Sequence, residues 1–599
     1  MSAVAEKEKT VLRGGEFLVK DSDPMDIFTP EEWNEEQRNI KEMIEDFLQQ
    51  EVLPQVEAMD KWEDPDILPN LLKKAGELGM LGATVPEQYG GMGLDFNTGM
   101  LITEEIGKGH SFSVGMAAHT GIGLLPILYF GNEAQKEKYV PKLATGEWLA
   151  SYCLTEPGSG SDALGAKTKA ELTEDGKHYI VNGQKMWITN AGFADLFIVF
   201  AKIDGEKFTG FIVERDTEGV SFGEEEDKMG IKGSSTRQVF FSDAKVPAEN
   251  VLGTIGEGHK IAFNILNIGR LKLGAAVLGA SKAVVNLSVK YANERHQFQQ
   301  PISSFGAIQQ KLAEQCIRTW VTEAAVYRAS DYIQHHEHKL MAEGMAYEEA
   351  IQAAAREYAV ECAIMKVVGS ETLDFVADEG VQIYGGYGFS EEYPMARAYR
   401  DARINRIFEG TNEINRMLTL NDLLKKALKG EIDLMTPAQN IQKELTQMPS
   451  MDNGNGSPFK REENAVKNFK KAALMCAGLA AQKYMQELAD EQEVLLHLAD
   501  MIMQAYNAES ALLRAKKIHQ TQGEEAANLP HQMVAVYVSD AAERISQSGK
   551  NVLSYISEGD EQRVTLMGLK RFTKVEPYDT ITARRAIAAK IIDADAYTY

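Results

Sequence analysis

The chain has 599 residues, 44% of them hydrophobic, and a formal net charge of −25. This length calls for several domains or one large layered unit, and the acidic balance excludes the dense basic surface that binds nucleic acid, leaving membrane contact at most peripheral. The four cysteines, Cys153, Cys316, Cys362 and Cys476, form no CxxC pair, so neither a zinc site nor a disulfide framework is expected and a reducing compartment is.

Residues 1–28 read as an N-terminal extension. "MSAVAEKEKTVLRGGEF" lacks an apolar h-region and carries acids early, unlike a mitochondrial transit peptide. No apolar run reaches membrane-spanning length, and a cytoplasmic location is expected ahead of a mitochondrial matrix one. From 29 to 147 the pattern is helical, with Ile40, Met43, Ile44, Phe47 and Leu48 on one face. From 148 to 257 short β-branched and aromatic runs, among them "LFIVFAKI" and "FTGFIVERD", alternate with turn residues and predict a central β domain. From 258 to 430 long helices rich in Ala and Leu return. Residues 431–464 read as a linker, with the polar Gln447–Asn464 stretch mobile and its Phe459, Lys460 and Arg461 free to touch a partner. Residues 465–599 form an extra helical domain, helical to about Gly549. The order helices, strands, helices is an α+β arrangement.

The last domain resembles an earlier stretch. Leu312–Ser330 aligns without a gap to Leu498–Lys516, matching Leu312/Leu498, Ala313/Ala499, Glu323/Glu509, Ala325/Ala511, Arg328/Arg514 and Ala329/Ala515. Chance likeness between Ala-rich helices is one reading. A degenerate internal copy of the helical domain is the other.

Four stretches carry candidate chemistry. "YCLTEPGSGSDALG", Tyr152 to Gly165, is dense in small residues. It has no GK[ST], and Glu156 and Asp162 would repel phosphate, so amides and hydroxyls of Thr155 and Ser161 facing a neutral ring fit better than a triphosphate loop. In "KMWITNAG", strand alternation places Trp187 and Thr189 on one face, which suits a flat heterocycle with polar edges; a buried core Trp is the plain alternative. In "ERHQFQQPISSF", Arg295 suits a pyrophosphate and Phe298 an adenine or ring edge. In Gln382 to Ile414, Gly385, Gly386 and Gly388 permit close backbone approach, at least two of Arg397, Arg400, Arg403 and Arg406 are expected on a solvated face, and Glu409 stands alone before a helix capped by Thr411. His335, His336 and His338 invite a metal reading, but without an acid or Cys partner at ligand spacing a solvent-facing helix end is preferred and no metal is expected.

Together these pieces resemble the acyl-CoA dehydrogenase family. One family signature is Cys153-Leu154-Thr155-Glu156 followed by Gly158-Ser159-Gly160-Ser161-Asp162. The other runs from Gln382 through Gly385-Gly386-Tyr387-Gly388-Phe389 to Glu392, Arg397 and Asp401. The resemblance covers about Thr29 to Gly430, and the added domain looks like the very-long-chain subgroup, its complex-I-assembly relative and long bacterial enzymes. It implies an N-terminal helical domain, a central β-barrel-like domain, a C-terminal helical bundle and an extra helical domain.

It also implies bound FAD, with Tyr152, Leu154, Thr155, Ser161, Trp187 and Thr189 on the flavin and ribityl, and Thr411 and Glu413 bordering it. Arg295, Phe298, Gln382, Gly385 and Gly386 would hold the pyrophosphate and adenine of a neighbouring subunit's FAD. Asn267, Arg270, Phe408, Gly410 and Ser161 would line the acyl-CoA site, with Gly410 letting the thioester approach. Glu409 would be the catalytic base, removing the α-proton while its own N–H and a ribityl hydroxyl hold the thioester oxygen and the β-hydrogen leaves as hydride to flavin N5. An electron-transferring flavoprotein is the implied oxidant, and trans-2-enoyl-CoA the product. The small residues Ala117, Ala118, Gly121 and Gly123 point to a long tail pocket, although Pro126 stands where the very-long-chain form has glycine. A homodimer is expected, the internal copy taking the place of a second dimer. An acyl-CoA oxidase and a non-catalytic assembly or scaffold protein are the rivals.

Overall fold

A computed structural model describes residues 9–445 and 456–599. The first long helix, Glu35–Phe47, begins at Asn34, whose side chain accepts from the Gln37 N–H while Gln37 reaches back to the Asn34 N–H. Ile44, Phe47 and Leu48 are buried, with Ile40 and Met43 packed at the margin of the same cluster. The preceding segment is no loose appendage. Leu12, Phe17, Leu18 and Ile27 enter the main core, and the Phe17 ring meets Tyr506 of the last domain edge-on at 4.7 Å.

The β domain holds β1 (Ala150–Cys153), β2 (Lys169–Leu172), β3 (His178–Thr189), β4 (Leu196–Ile203), β5 (Lys207–Glu214), β6 (Val220–Phe222), β7 (Thr236–Pro247) and β8 (Val251–Leu252). The order is β6-β7-β3-β2-β4-β5-β8, with β1 parallel to β4. β4 is apolar along nearly its whole length because both its faces are covered, whereas β3 alternates buried and half-exposed residues. A bulge interrupts the β3–β7 register between Lys185 and Ile188.

Helices Gly258–Glu294, Gly306–Ala342, Ala359–Tyr384 and Asn412–Leu428 form the bundle behind the sheet. The first crosses the Phe96–Ile106 helix at Gly279, where a Cβ would lie 1.7 Å from the Glu104 carbonyl oxygen. Two segments, Ser111–Phe130 and Gly258–Glu294, are long and apolar enough to cross a membrane, which corrects the expectation that none would be; most of both is buried against the rest of the chain.

The last domain contains Lys460–Tyr484, Gln492–Gln522, Glu524–Ile556, Gly559–Phe572 and Thr580–Ala594, so helix continues well past Gly549. The stretch expected to be mobile lies partly outside the described residues. Where it is described, Phe459 is buried beside His531 and Arg461 bonds Ser539 and the Glu576 carbonyl, so these two face inward rather than toward a partner.

Packing between Gly306–Ala342 and Gln492–Gln522 decides the question of the copy. Arg328 donates to Glu509 at 2.9 Å, and Arg514 donates to Glu323 at 2.6 Å. Arg328 lies over the Tyr506 ring at 4.8 Å, and Arg514 over the Trp320 ring at 4.7 Å. Each residue therefore meets the counterpart of its own partner, the reciprocity of a two-fold interface within one chain. Chance likeness gives no reason for such matched contacts, and the internal copy does.

Candidate active site

The site gathers around Glu409. The chain leaves a short helical turn at Arg406, passes through two successive left-handed residues, Glu409 (φ 58°) and Gly410 (φ 80°), and enters the Asn412–Leu428 helix. A non-glycine residue in that region carries strain, which persists only where the surroundings hold it. Here Asn415 Nδ2 donates to the Gly410 carbonyl at 2.8 Å and the Thr411 carbonyl at 3.0 Å, while Thr411 caps the helix by accepting the Ile414 N–H at 3.3 Å. Lys366 Nζ donates to Asn412 Oδ1 at 2.7 Å, and Asn412 Nδ2 donates to Ser370 Oγ at 3.0 Å. Arg270 donates to Asn267 Oδ1 at 2.8 Å and, weakly, to the Glu409 carbonyl at 3.4 Å. Arg270 and Asn267 thus brace the turn. The glycine at 410 is required by its own φ, whatever approaches it.

The carboxyl end of Glu409 is enclosed, and its Oε2 has no hydrogen-bond partner. Burial pushes its pKa up to about 7, against the pull of Arg270 and Lys366. The carboxyl lies over Gly269, where a Cβ would stand 2.9 Å from Oε2. Among the described residues nothing accepts the Glu409 N–H. The Tyr152 hydroxyl is also buried without a partner, and the Glu409 charge adds to the burial that raises its pKa. An acid, a phenol and an amide N–H left unpaired at one place mark where a polar ligand would complete the bonding.

Beside them the β domain offers an open face. Trp187 is 55% exposed, which excludes the core reading. Its φ of 61° lies in the bulge, so simple alternation does not relate Trp187 to Thr189; the bulge turns the indole outward instead. In the Tyr152–Gly165 loop, Glu156 and Ser159 exchange backbone hydrogen bonds at 3.0 Å. The Glu156 carboxylate points inward to Lys185 Nζ at 2.7 Å and to the Thr168 N–H at 3.1 Å, so it cannot repel a ligand as the sequence alone suggested. Lys185 also donates to the Leu154 carbonyl at 3.2 Å, leaving Thr155 half-buried and Ser161 exposed on the outer side. A Cβ added at Gly158 or Gly160 would meet nothing within 4 Å. Glu413 is exposed in the first turn of its helix, and its own N–H lowers its pKa. Phe408 is half-buried and packs against the apolar cluster that contains Leu273, Val277 and Leu373.

A second feature lies elsewhere on the surface. His296–Gln297 and Gln300–Pro301 form a hairpin whose turn residues Phe298 and Gln299 both have positive φ, and Phe298 is 88% exposed. Arg295 and Gln297 line an open groove of about 610 Å³ with Gly385, Gly386 and Tyr387. Gln382 is exposed nearby in sequence. The Arg295 guanidinium is over the Tyr387 ring at 5.3 Å, so it already has one planar partner. The structure therefore sorts the expected residues into two sets, one around Glu409 and one around this groove.

Other expectations need correction. Of the four arginines only Arg403 is exposed; Arg397 pairs with Asp60 at 2.6 Å, Arg400 with Glu391 at 3.1 Å and Arg406 with Asp374 at 3.1 Å. His335 and His336 are half-buried rather than solvent-facing, and among the described residues no group of three His, Cys or acidic residues is placed to hold a metal. Of the four small residues, Ala117 lines the cavity beside the Gly258–Glu294 helix, whereas Gly123 is small because a Cβ there would meet Ala150 at 2.6 Å. Gly269, Lys366 and Asn415 were not foreseen. They come from other helices or from past the turn, and no local motif announces them.

Comparison with known proteins agrees with this geometry. The family descriptions "Acyl-CoA dehydrogenase, N-terminal domain", "middle domain" and "C-terminal domain" match residues 34–147, 151–244 and 256–424, and a second C-terminal-domain description matches residues 468–571. A "Probable acyl-CoA dehydrogenase" of Bacillus subtilis (strain 168) is 49% identical over 99% of this chain and 100% of its own length. The mitochondrial very long-chain specific acyl-CoA dehydrogenase of Homo sapiens is 44% identical over 57% of this chain and 51% of its own. A crystal structure of an acyl-CoA dehydrogenase complexed with FAD from Bacillus anthracis superposes with a TM-score of 0.95 at 49% identity, covering 98% of this chain and 100% of that one. With all four domains matched and the enclosed Glu409 turn in place, the chain belongs to the acyl-CoA dehydrogenase family.

Proposed function

We propose that the protein is an FAD-dependent dehydrogenase that converts long-chain acyl-CoA thioesters to trans-2-enoyl-CoAs in fatty-acid oxidation, passes the electrons to an electron-transferring flavoprotein and works as a cytoplasmic homodimer. The observation that carries this reading is the Glu409 carboxylate: enclosed, unpaired at Oε2 and with a pKa near 7. A weakly acidic α-proton needs a base of that kind, dry and free of competing donors. The unpaired Glu409 N–H is available to a thioester oxygen, where negative charge grows as the proton leaves.

FAD, when bound, supplies the hydride acceptor. The residues present fit it: Trp187, Thr155 and Ser161 offer an aromatic face and hydroxyls on the open side of the β domain, and the unpaired Tyr152 hydroxyl lies close by. Arg295, Gly385 and Gly386 line a groove on the outer surface, and Phe298 has almost no cover from its own chain. This open groove and the uncovered Phe298 support the dimer, since they leave room for the adenine end of a neighbouring copy's FAD. The long-chain reading is supported by a cavity along the Gly258–Glu294 helix that adjoins a larger chamber sharing several of its walls. Each methylene buried there adds about 0.8 kcal/mol.

Anaerobic titration of the flavoprotein with acyl-CoAs of graded length tests the reading through bleaching of the flavin. Palmitoyl-CoA should bleach at lower concentration and turn over with higher kcat/KM than butyryl-CoA; a maximum at butyryl-CoA removes the long-chain assignment. Hydrogen peroxide formed in step with turnover in air marks an oxidase instead, and a colourless protein a scaffold.

A further inference from the structure

Lys272 stands on the helix face that serves the base. Gly269, Lys272 and Ala276 fall at i, i+3 and i+7 of Gly258–Glu294, so the face that presents Gly269 to the Glu409 carboxyl presents Lys272 and Ala276 to the space beyond it. Lys272 is about 4.5 Å further along the axis than Gly269, and Ala276 about 10 Å. Both line a narrow cavity of about 50 Å³ whose walls include Leu81, Val85, Ile102, Met116 and Leu124. Lys272 is the one charged residue on those walls among the described residues.

The same lysine also lines a second chamber of about 400 Å³, which shares Thr84, Gly99 and Leu125 with the first and adds Gln88, Asp95, Glu337 and Glu348. Lys272 therefore sits on the wall common to an apolar pocket and a polar one. Its ammonium has no hydrogen-bond or ion-pair partner among the described residues. Burial alone holds its pKa down to about 8, with no carboxylate near enough to oppose that. The acids of the outer chamber are engaged elsewhere: Glu348 pairs with Lys136 at 2.8 Å, and Asp95 accepts the Thr98 N–H at 2.7 Å. Burial raises the Glu337 pKa to about 7, which leaves it close to half neutral at that pH.

An alkyl chain laid from the base along this helix face would meet an unpaired ammonium about one turn from Gly269. A methyl terminus gives that group nothing and keeps water from it, whereas a carboxylate gives it a charge-assisted hydrogen bond. We propose that Lys272 reads the far end of an acyl chain just long enough to reach it, and that acyl-CoAs with an ω-carboxylate, the half-thioesters of medium-length dicarboxylic acids, are substrates its ammonium recognises. The proposal rests on the acyl-CoA dehydrogenase reading above and names a substrate class within it.

The test uses the FAD-loaded enzyme as wild type, Lys272→Met and Lys272→Arg. kcat/KM is measured with methyl-ended, ω-hydroxy and ω-carboxy acyl-CoAs over a series of matched lengths. At the length that reaches Lys272, the ω-carboxy to methyl ratio should fall about ten- to a hundred-fold in Lys272→Met, mainly through KM. Lys272→Arg should keep most of it, and palmitoyl-CoA should improve in Lys272→Met. A ratio unchanged at every length, or an ω-hydroxy chain favoured as strongly as the ω-carboxy one, overturns the proposal while palmitoyl-CoA turnover leaves the dehydrogenase reading standing. Failure of every acyl-CoA to bleach the wild-type flavin overturns both.

Discussion

Replacing Glu409 by Gln preserves the side chain's shape and removes its charge, and two effects of opposite sign follow. The first is catalytic. The amide cannot take the α-proton, and among the described residues no other acid near the turn is free to do so: Glu413 is exposed, and Glu371 is bonded to Asn412 and Arg416. Reductive bleaching should slow by more than about 10⁴-fold, the upper end for loss of a general base. The second is thermodynamic. Burial raises the carboxyl from 4.5 to about 7, so the folded protein holds this proton more tightly than the unfolded chain does. Ionisation therefore costs the folded state stability as pH rises from 4.5 through about 7, reaching about 3 kcal/mol above that range. Glu409→Gln escapes the cost. Its Tm should exceed the wild type's by a few degrees at about pH 8 and match it at about pH 4. Both effects are read on the flavin-loaded protein, by stopped-flow bleaching with palmitoyl-CoA and by scanning calorimetry at the two pH values. Near-normal bleaching places the base elsewhere. A Tm gap that does not grow with pH refutes the claim that the carboxyl is enclosed and unpaired.

Four further outcomes are expected. In the wild type, kcat/KM should rise with pH through about 7 as Glu409 ionises, and a flat profile contradicts its role. Gly269→Ala should keep FAD and fold but lower kcat about ten- to a hundred-fold, because its Cβ would press on Oε2 at 2.9 Å; wild-type kcat would show that the carboxyl tolerates displacement. Arg328→Met leaves Glu509 with only Lys470 and should destabilise by about 3 kcal/mol in thermal unfolding, with recovery expected in Arg328→Met/Glu509→Met/Lys470→Met, where no charge is stranded; equal loss in that triple variant refutes a pairing origin. Light scattering should give about twice the 66.3 kDa chain mass, and a chain ending at Gly430 should aggregate or form tetramers once Glu323 loses Arg514 and Arg328 loses Glu509. A full-length tetramer or a well-behaved truncated dimer assigns the extension another purpose.

Much was legible in the residue order. Helical periodicity, β-branched runs and turn residues are local properties, and they marked the helix, sheet and helix succession because neighbours in sequence set backbone preference. The placing of Glu409 on a turn before a Thr-capped helix was legible too, because a cap is a local signal. The matched positions of Leu312–Ser330 and Leu498–Lys516 announced a copy. What lay outside the sequence's reach depends on groups distant in the chain. Only packing could set Gly269 under the Glu409 carboxyl, bring Lys366 to Asn412 and leave Tyr152 and Oε2 without partners. Alternation could not foresee the bulge that turns Trp187 outward, because register is agreed between two strands. The arginines read as a solvated face because spacing alone says nothing of Asp60 or Asp374 waiting on other helices. The two-fold exchange of Arg328 and Arg514 needed both helices in contact. Backbone preference and cap chemistry are written residue by residue, whereas burial, pairing and a shifted pKa belong to surroundings that exist only once the chain has folded.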